Sequence, residues 1–190
     1  MKALVNFSGA LAGLMIILVG TFVPTGILLP ITKYPPEILD LPITWQVPSL
    51  LLCALVCGPR SGSIAAIAYL TIGIFYLPIF QQGGYSNYIN EPNFGYIVGF
   101  IPVAWITGRL AKQKGINNLL LLTMAALAGL VLLHLFGISN LIIGSLLSKW
   151  NEPLWTMILN YSLLPLLSQI VLCPAVGILS LILRRILFIK

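Results

Sequence analysis

An all-α integral membrane protein of six transmembrane helices is the fold class this sequence predicts, and three observations predict it. Of 190 residues, 59% are hydrophobic and 7% are charged, whereas a soluble domain carries about 25% charged residues. A water-facing surface cannot be covered with so few charges. Apolar stretches long enough to cross a bilayer recur along the whole chain. Basic residues gather at alternate ends of those stretches, which is the pattern that sets membrane orientation.

The first span is expected over 5–29. It has the apolar run of a signal peptide but no clear small-residue cleavage site, so it reads as a retained helix. A proline- and acid-rich connection follows over 33–41. The second span, over 44–57, is short and stops at the turn Gly58-Pro59-Arg60-Ser61-Gly62. The third runs over 63–79, and a long polar loop follows. The fourth spans 94–110 and ends in Lys112 and Lys114. The fifth spans 118–136. Residues 137–153 are mixed, in part an interfacial helix. The sixth, over 163–186, carries Pro165 and Pro174 and ends in Arg184 and Arg185. The whole chain, 1–190, reads as one transmembrane domain.

The charges test this map. With the N-terminus inside, the cytoplasmic ends hold Lys2, Arg60, Arg109, Lys112, Lys114, Arg184, Arg185 and Lys190, which is eight of the ten basic residues. Lys33 and Lys149 fall outside, with all four acids, Glu37, Asp40, Glu91 and Glu152. Every inner loop obeys the positive-inside rule. The formal charge of +6 is therefore a topology signal, and nucleic acid is not an expected partner. The polar and aromatic residues concentrate in the long outer loops, so a small-molecule site opens outward.

Four places stand out for chemistry. In the first span, Ser8 and Ala12, and Gly9 and Gly13, form overlapping pairs of small residues four apart. Such a face lets another helix approach closely, within the chain or from a partner. Before the second span, Trp45 reads as an interfacial anchor. Gln46 beside it needs a hydrogen-bond partner, on a neighbouring helix or a ligand. The loop from Phe80 through Gln82, Gly83, Gly84 and Tyr85 to Asn93 and Tyr96 mixes amides, tyrosines and glycines. That mixture suits a part-polar, part-apolar ligand, or an exposed loop with interfacial tyrosines. In the last span, Ser168 and Gln169 follow Pro165, where they satisfy freed carbonyls or face a cavity.

Other chemistry is not supported. No nucleophile elbow, zinc motif or phosphate loop is present, so neither an enzyme nor a cofactor is expected. His134 reads as a hydrogen-bonded helix residue. Cys53, Cys57 and Cys173 lie in apolar segments and read as packing residues rather than metal ligands. No ionisable residue sits in mid-span apart from His134, which argues against an ion-driven pump.

Taken in order, Pro42-Ile43-Thr44-Trp45-Gln46, Gly58-Pro59-Arg60-Ser61-Gly62, Tyr69-Leu70 with Gly73, Leu77-Pro78-Ile79-Phe80, Gly83-Gly84, Pro92 and Gly95-Tyr96-Ile97-Val98-Gly99-Phe100 form a series. It resembles the BioY family, the biotin-specific S components of energy-coupling factor transporters, most closely over 8–112. The resemblance implies a six-helix S-component fold and capture of biotin from outside. It implies ATP-driven import by partner subunits, a transmembrane coupling protein and paired ATPases. Ser8, Gly9, Ala12 and Gly13 would be the docking face for the coupling protein. The ligand pocket would draw on Trp45, Gln46, Phe80, Gln82, Gly83, Gly84, Tyr85, Asn93, Tyr96, Ser168 and Gln169. The family's last helix carries an aspartate five positions after a proline and a lysine three further on; counted from Pro165, Ile170 and Cys173 stand there instead. A capture subunit for another vitamin and a structural membrane protein without substrate are the alternative readings.

Overall fold

The computed structural model describes residues 2–28, 38–81 and 83–187. The elements are α1 (Lys2–Phe22), β1 (Pro24–Leu28), β2 (Ile38–Thr44), α2 (Gln46–Phe75), α3 (Phe94–Ala111), α4 (Leu119–Leu146), a short α5 (Leu154–Ile158) and α6 (Leu164–Ile186). A 3-10 turn covers Ser86–Asn90, and a π-helical turn, Leu159–Leu163, joins α5 to α6. Five of these helical segments are long and apolar enough to cross a membrane, α5 to α6 counting as one.

The first expected span is cut short. Pro24 has no N–H to continue the helical ladder and pushes Val23 out of the helical region, so α1 ends at Phe22. The chain then pairs as a strand with residues expected to form the polar connection. β1 and β2 are antiparallel, from Thr25 opposite Leu41 to Leu28 opposite Ile38, with an irregularity at Pro24. The all-α expectation therefore omits a two-stranded hairpin.

The second and third expected spans are the two arms of α2. At Gly58 the backbone leaves the helix, with φ 84° and ψ −177°, a left-handed region that favours glycine. The arms double back on each other: a Cβ on Gly13 would touch both Cys53 and Ala65, and one on Gly62 would lie 3.2 Å from the Ala54 Cα. The expected turn over 58–62 shrinks to Gly58 alone. Pro59 takes the first helical position of the second arm, where its missing N–H costs nothing.

The fifth span also runs further than expected. α4 continues through Gly137 and Gly144, because each glycine makes a notch for an aromatic ring. A Cβ on Gly137 would lie 2.0 Å from Tyr96, and one on Gly144 would lie 2.0 Å from Trp150. The last span starts earlier than expected, at Leu154, with the π-helical turn inside it.

The basic ends of the helices meet. Lys2, Arg60 and Lys112 line one depression. The buried Arg184 guanidinium donates to the carbonyls of Ala111 (3.1 Å) and Ile116 (3.0 Å), which closes the C-terminus of α3. The core lies between α1, α2 and α3, where Ile17, Leu50, Leu55, Tyr69 and Phe100 are fully buried. Large apolar side chains such as Phe22, Leu120 and Leu167 stay exposed, as a lipid-facing surface requires. The hairpin and the 3-10 turn lie at the end opposite the basic one.

Candidate ligand-binding site

A cavity of about 220 Å³ opens at the hairpin end of the molecule. Its described lining comes from β2, α2, α3, α4, α6, the π-helical turn and the loop after α2. β2 brings Pro42, Ile43 and Thr44, and the first turn of α2 brings Gln46 and Val47. α3 contributes Tyr96, Ile97 and Phe100, one face at helical spacing, with Asn93 at its start. α4 contributes Leu133 and His134, and α6 contributes Pro165 and Gln169. The π-helical turn adds Asn160 and Tyr161, and the loop after α2 adds Gln81 and Tyr88. Among the described lining residues none is Asp, Glu, Lys or Arg.

Two hydrogen-bond networks set the polar groups. The first is anchored on Tyr69, which is fully buried on α2. Its hydroxyl donates to the Ile79 carbonyl (3.1 Å), so its oxygen accepts from the Gln46 amide Nε2 (2.7 Å). Thr21 on α1 lies 3.0 Å from the same oxygen. The Gln46 amide is thereby held with its nitrogen toward Tyr69.

The second network joins three helical segments. Gln169 Oε1 lies 3.0 Å from His134 Nε2. A carbonyl oxygen only accepts, so Nε2 carries the proton. In the neutral ring Nδ1 is then an acceptor, and Ser162 Oγ lies 3.2 Å from it. Ser162 in turn pairs with the Tyr96 hydroxyl. The protons run one way, from Tyr96 to Ser162 to His134 to Gln169, and a ring contact between Tyr96 and His134 at 5.8 Å backs the arrangement. Local π-helical turns often mark functional sites; this one carries Ser162 into the network and Asn160 and Tyr161 to the wall.

An aromatic cluster supports the outer wall. Phe80 packs edge-on to Tyr69 at 5.4 Å and lies 4.5 Å from the Tyr88 ring. Gly73 leaves the space that Phe80 fills. Burial, with smaller contributions from Tyr69 and Glu91, pushes the Tyr88 hydroxyl well above the usual tyrosine range, so it stays protonated and able to donate. The 3-10 turn is held down from the α4 side. Trp150 Nε1 donates to the Asn90 carbonyl (3.1 Å), Lys149 to Ile89 (3.3 Å) and Asn140 to Pro92 (3.0 Å).

The candidate residues from the sequence divide. Gln46, Asn93, Tyr96 and Gln169 line the cavity. Phe80 stands behind its wall. Gly83 pairs with Phe80 through two backbone hydrogen bonds, and Gly84 packs against Pro78 and Gly73; both shape the loop rather than line the space. Tyr85 is about half exposed. Trp45 lies in a separate apolar groove with Met15, Val19 and Leu179. Ser168 is buried on α6 outside the lining, and Gln82 lies outside the described residues. Sequence reasoning passed over Ser162, Asn160 and Tyr161, took His134 for a hydrogen-bonded helix residue without a ligand role, and included Tyr88 only as part of the loop between Phe80 and Tyr96. Pro165 and Gln169, four apart on α6, carried the one signal that pointed to its inner face. Gly9 and Gly13 pack inward on Cys57, Ser61, Cys53 and Ala65, while Ser8 and Ala12 stay exposed.

The comparisons with known proteins agree on one lineage. The family model described as the BioY family matches residues 4–188. The chain is 32% identical over 146 residues to an uncharacterized 21.2 kDa protein in the psbX-ycf33 intergenic region of Cyanophora paradoxa, covering 76% of this chain and 75% of that one. It is 32% identical to the biotin transporter BioY of Thermotoga maritima, over 51% of this chain and 57% of that one. It is 27% identical to the probable biotin transporter BioY of Lysinibacillus sphaericus, over 58% and 59%. The matched part thus spans little more than half of these two transporters. A crystal structure of the S-component for biotin from an ECF-type ABC transporter superposes with a TM-score of 0.66 at 21% identity, covering 100% of this chain and 94% of that one, which shows a common fold.

Proposed function

The chain belongs to the BioY family, and from that premise we propose that it is the substrate-binding membrane subunit of a vitamin uptake transporter, with biotin as its ligand. The observation that carries the reading is the cavity at the end opposite the basic residues. It is part apolar and part polar, its described lining is uncharged, and its amides are held in fixed orientations. Biotin has the same division: a compact urea-bearing bicycle with apolar edges and a flexible tail ending in a carboxylate.

The two arms of α2 raise the five long helices to six crossings, with the N- and C-termini inside. The gathering of Lys2, Arg60, Lys112 and Arg184 at one end supports this orientation. The cavity then faces outward, as capture from the exterior of the cell membrane requires. Import needs an energy source, and the chain carries no phosphate loop. The ATPase subunits and a coupling protein named by the resemblance would supply it. The exposed Ser8 and Ala12 on α1 are the residues of the small face left for a partner helix, since Gly9 and Gly13 are occupied within the chain.

The test is calorimetric titration of the chain in lipid nanodiscs with biotin. A Kd tighter than about 1 µM is expected for a capture subunit. No binding by well-folded protein overturns the biotin assignment.

A further inference from the structure

We infer that the cavity reads its ligand through two amides of opposite polarity, Gln46 offering a carbonyl and Gln169 an N–H, and so selects an uncharged group bearing both C=O and N–H, while no described lining side chain offers a charge to a carboxylate at the ligand's far end. This deepens the biotin reading above and rests on it.

The polarity follows from what each amide has already committed. Gln46 gives its nitrogen to Tyr69. Its carbonyl oxygen makes no hydrogen bond among the described residues, and Gln46 lines the cavity. Gln169 gives its carbonyl to His134, and its nitrogen is likewise unengaged among the described residues. Turning Gln46 over would set its oxygen against a Tyr69 hydroxyl that gives its proton to Ile79, and turning Gln169 over would require the other His134 tautomer, with Nδ1 donating to Ser162. One wall therefore presents an acceptor and another a donor.

A cyclic urea matches both, with N–H toward Gln46 and C=O toward Gln169. A cation in place of the urea carbonyl would meet the Gln169 N–H with another donor. A carboxylate gains nothing from the described lining, which holds no cationic side chain, and burying it unpaired is costly. The ligand's charged end is left at the cavity mouth. Amide-linked forms of the vitamin are then substrates of the same rank as the free acid.

The experiment compares three ligands on the same nanodisc preparation: biotin, biotinamide, and 2-iminobiotin, whose urea carbonyl is replaced by a C=NH group protonated at neutral pH. Biotin and biotinamide are expected to agree within about threefold. 2-Iminobiotin is expected to bind at least about thirtyfold more weakly. Biotin binding with biotinamide weaker by a similar factor overturns this inference and leaves the proposed function standing, as does equal binding of 2-iminobiotin. No binding of biotin by folded chain removes both. The donor is then checked with Gln169→Glu, which offers only acceptors when ionised. Weakened biotin binding by a folded variant supports the assignment, and unchanged affinity overturns it.

Discussion

Tyr96 fills the notch that Gly137 leaves in α4: a Cβ on Gly137 would lie 2.0 Å from the Tyr96 ring carbon Cε1. The glycine thus decides where the first member of the Tyr96–Ser162–His134–Gln169 chain stands. Gly137→Ala forces that ring to move, because α4 and α3 are too tightly packed to separate cheaply. Overpacking of this kind costs about 1–3 kcal/mol. The variant should unfold at lower temperature and bind biotin at least about tenfold more weakly. Wild-type affinity in the variant would mean that Tyr96 does not need its present position.

Tyr69 is a positioning residue for Gln46. Tyr69→Phe leaves the Ile79 carbonyl and the Gln46 nitrogen without their partner, at a cost of about 1–3 kcal/mol. Lost stability alone would lower affinity for all ligands alike. Loss of the amide's orientation also widens the preference for biotin over 2-iminobiotin, because a Gln46 nitrogen turned inward meets the ring N–H groups, which share the positive charge in 2-iminobiotin. The ratio of the two dissociation constants is the readout that separates these cases.

The small-residue face of α1 splits into two predictions. A Cβ on Gly13 would lie 2.1 Å from Cys53 Sγ, so Gly13→Ala strains the α1–α2 contact and lowers the unfolding temperature of the isolated chain. Ala12 is exposed, so Ala12→Leu should leave both unfolding and biotin affinity unchanged while reducing uptake in cells that supply the partner subunits. Full uptake by Ala12→Leu would remove this face from the proposed interface.

The legible parts of the chain were those written in local order. The fourth span, expected over 94–110, matches α3 because Asn93 begins it and Lys112 ends it within one unbroken apolar run. Chain direction at Gly58 was legible because glycine and proline mark a turn together. The hidden parts depend on distant neighbours. Gly137 resembled a helix end because glycine disfavours helices, yet Tyr96, far off in sequence, makes that glycine necessary. His134 was legible as a hydrogen-bonded helix residue but not as part of a ligand site, because its partners Ser162 and Gln169 are 28 and 35 positions away. The β-hairpin was missed because the five residues from Pro24 to Leu28 extend the uncharged run of α1. Only their pairing with residues 38–44 makes them a strand.

The charged pair of the resembling family suggests a last experiment on α6. The positions counted from Pro165 are Ile170, which is 41% exposed among apolar neighbours, and Cys173, which is buried and outside the cavity lining. Gln169, one residue earlier, is the α6 side chain that reaches the cavity beyond Pro165. An aspartate at 170 would therefore face the bilayer rather than the ligand. Placing it there costs about 2.5–3.5 kcal/mol at mid-membrane. Ile170→Asp should thus lower the thermal stability and membrane yield of the chain without raising biotin affinity, and adding Cys173→Lys should not restore either. A gain in affinity in the double variant would show that α6 turns to bring position 170 inward, and that the neutral Gln169–His134 pair is not the means by which this chain holds its ligand.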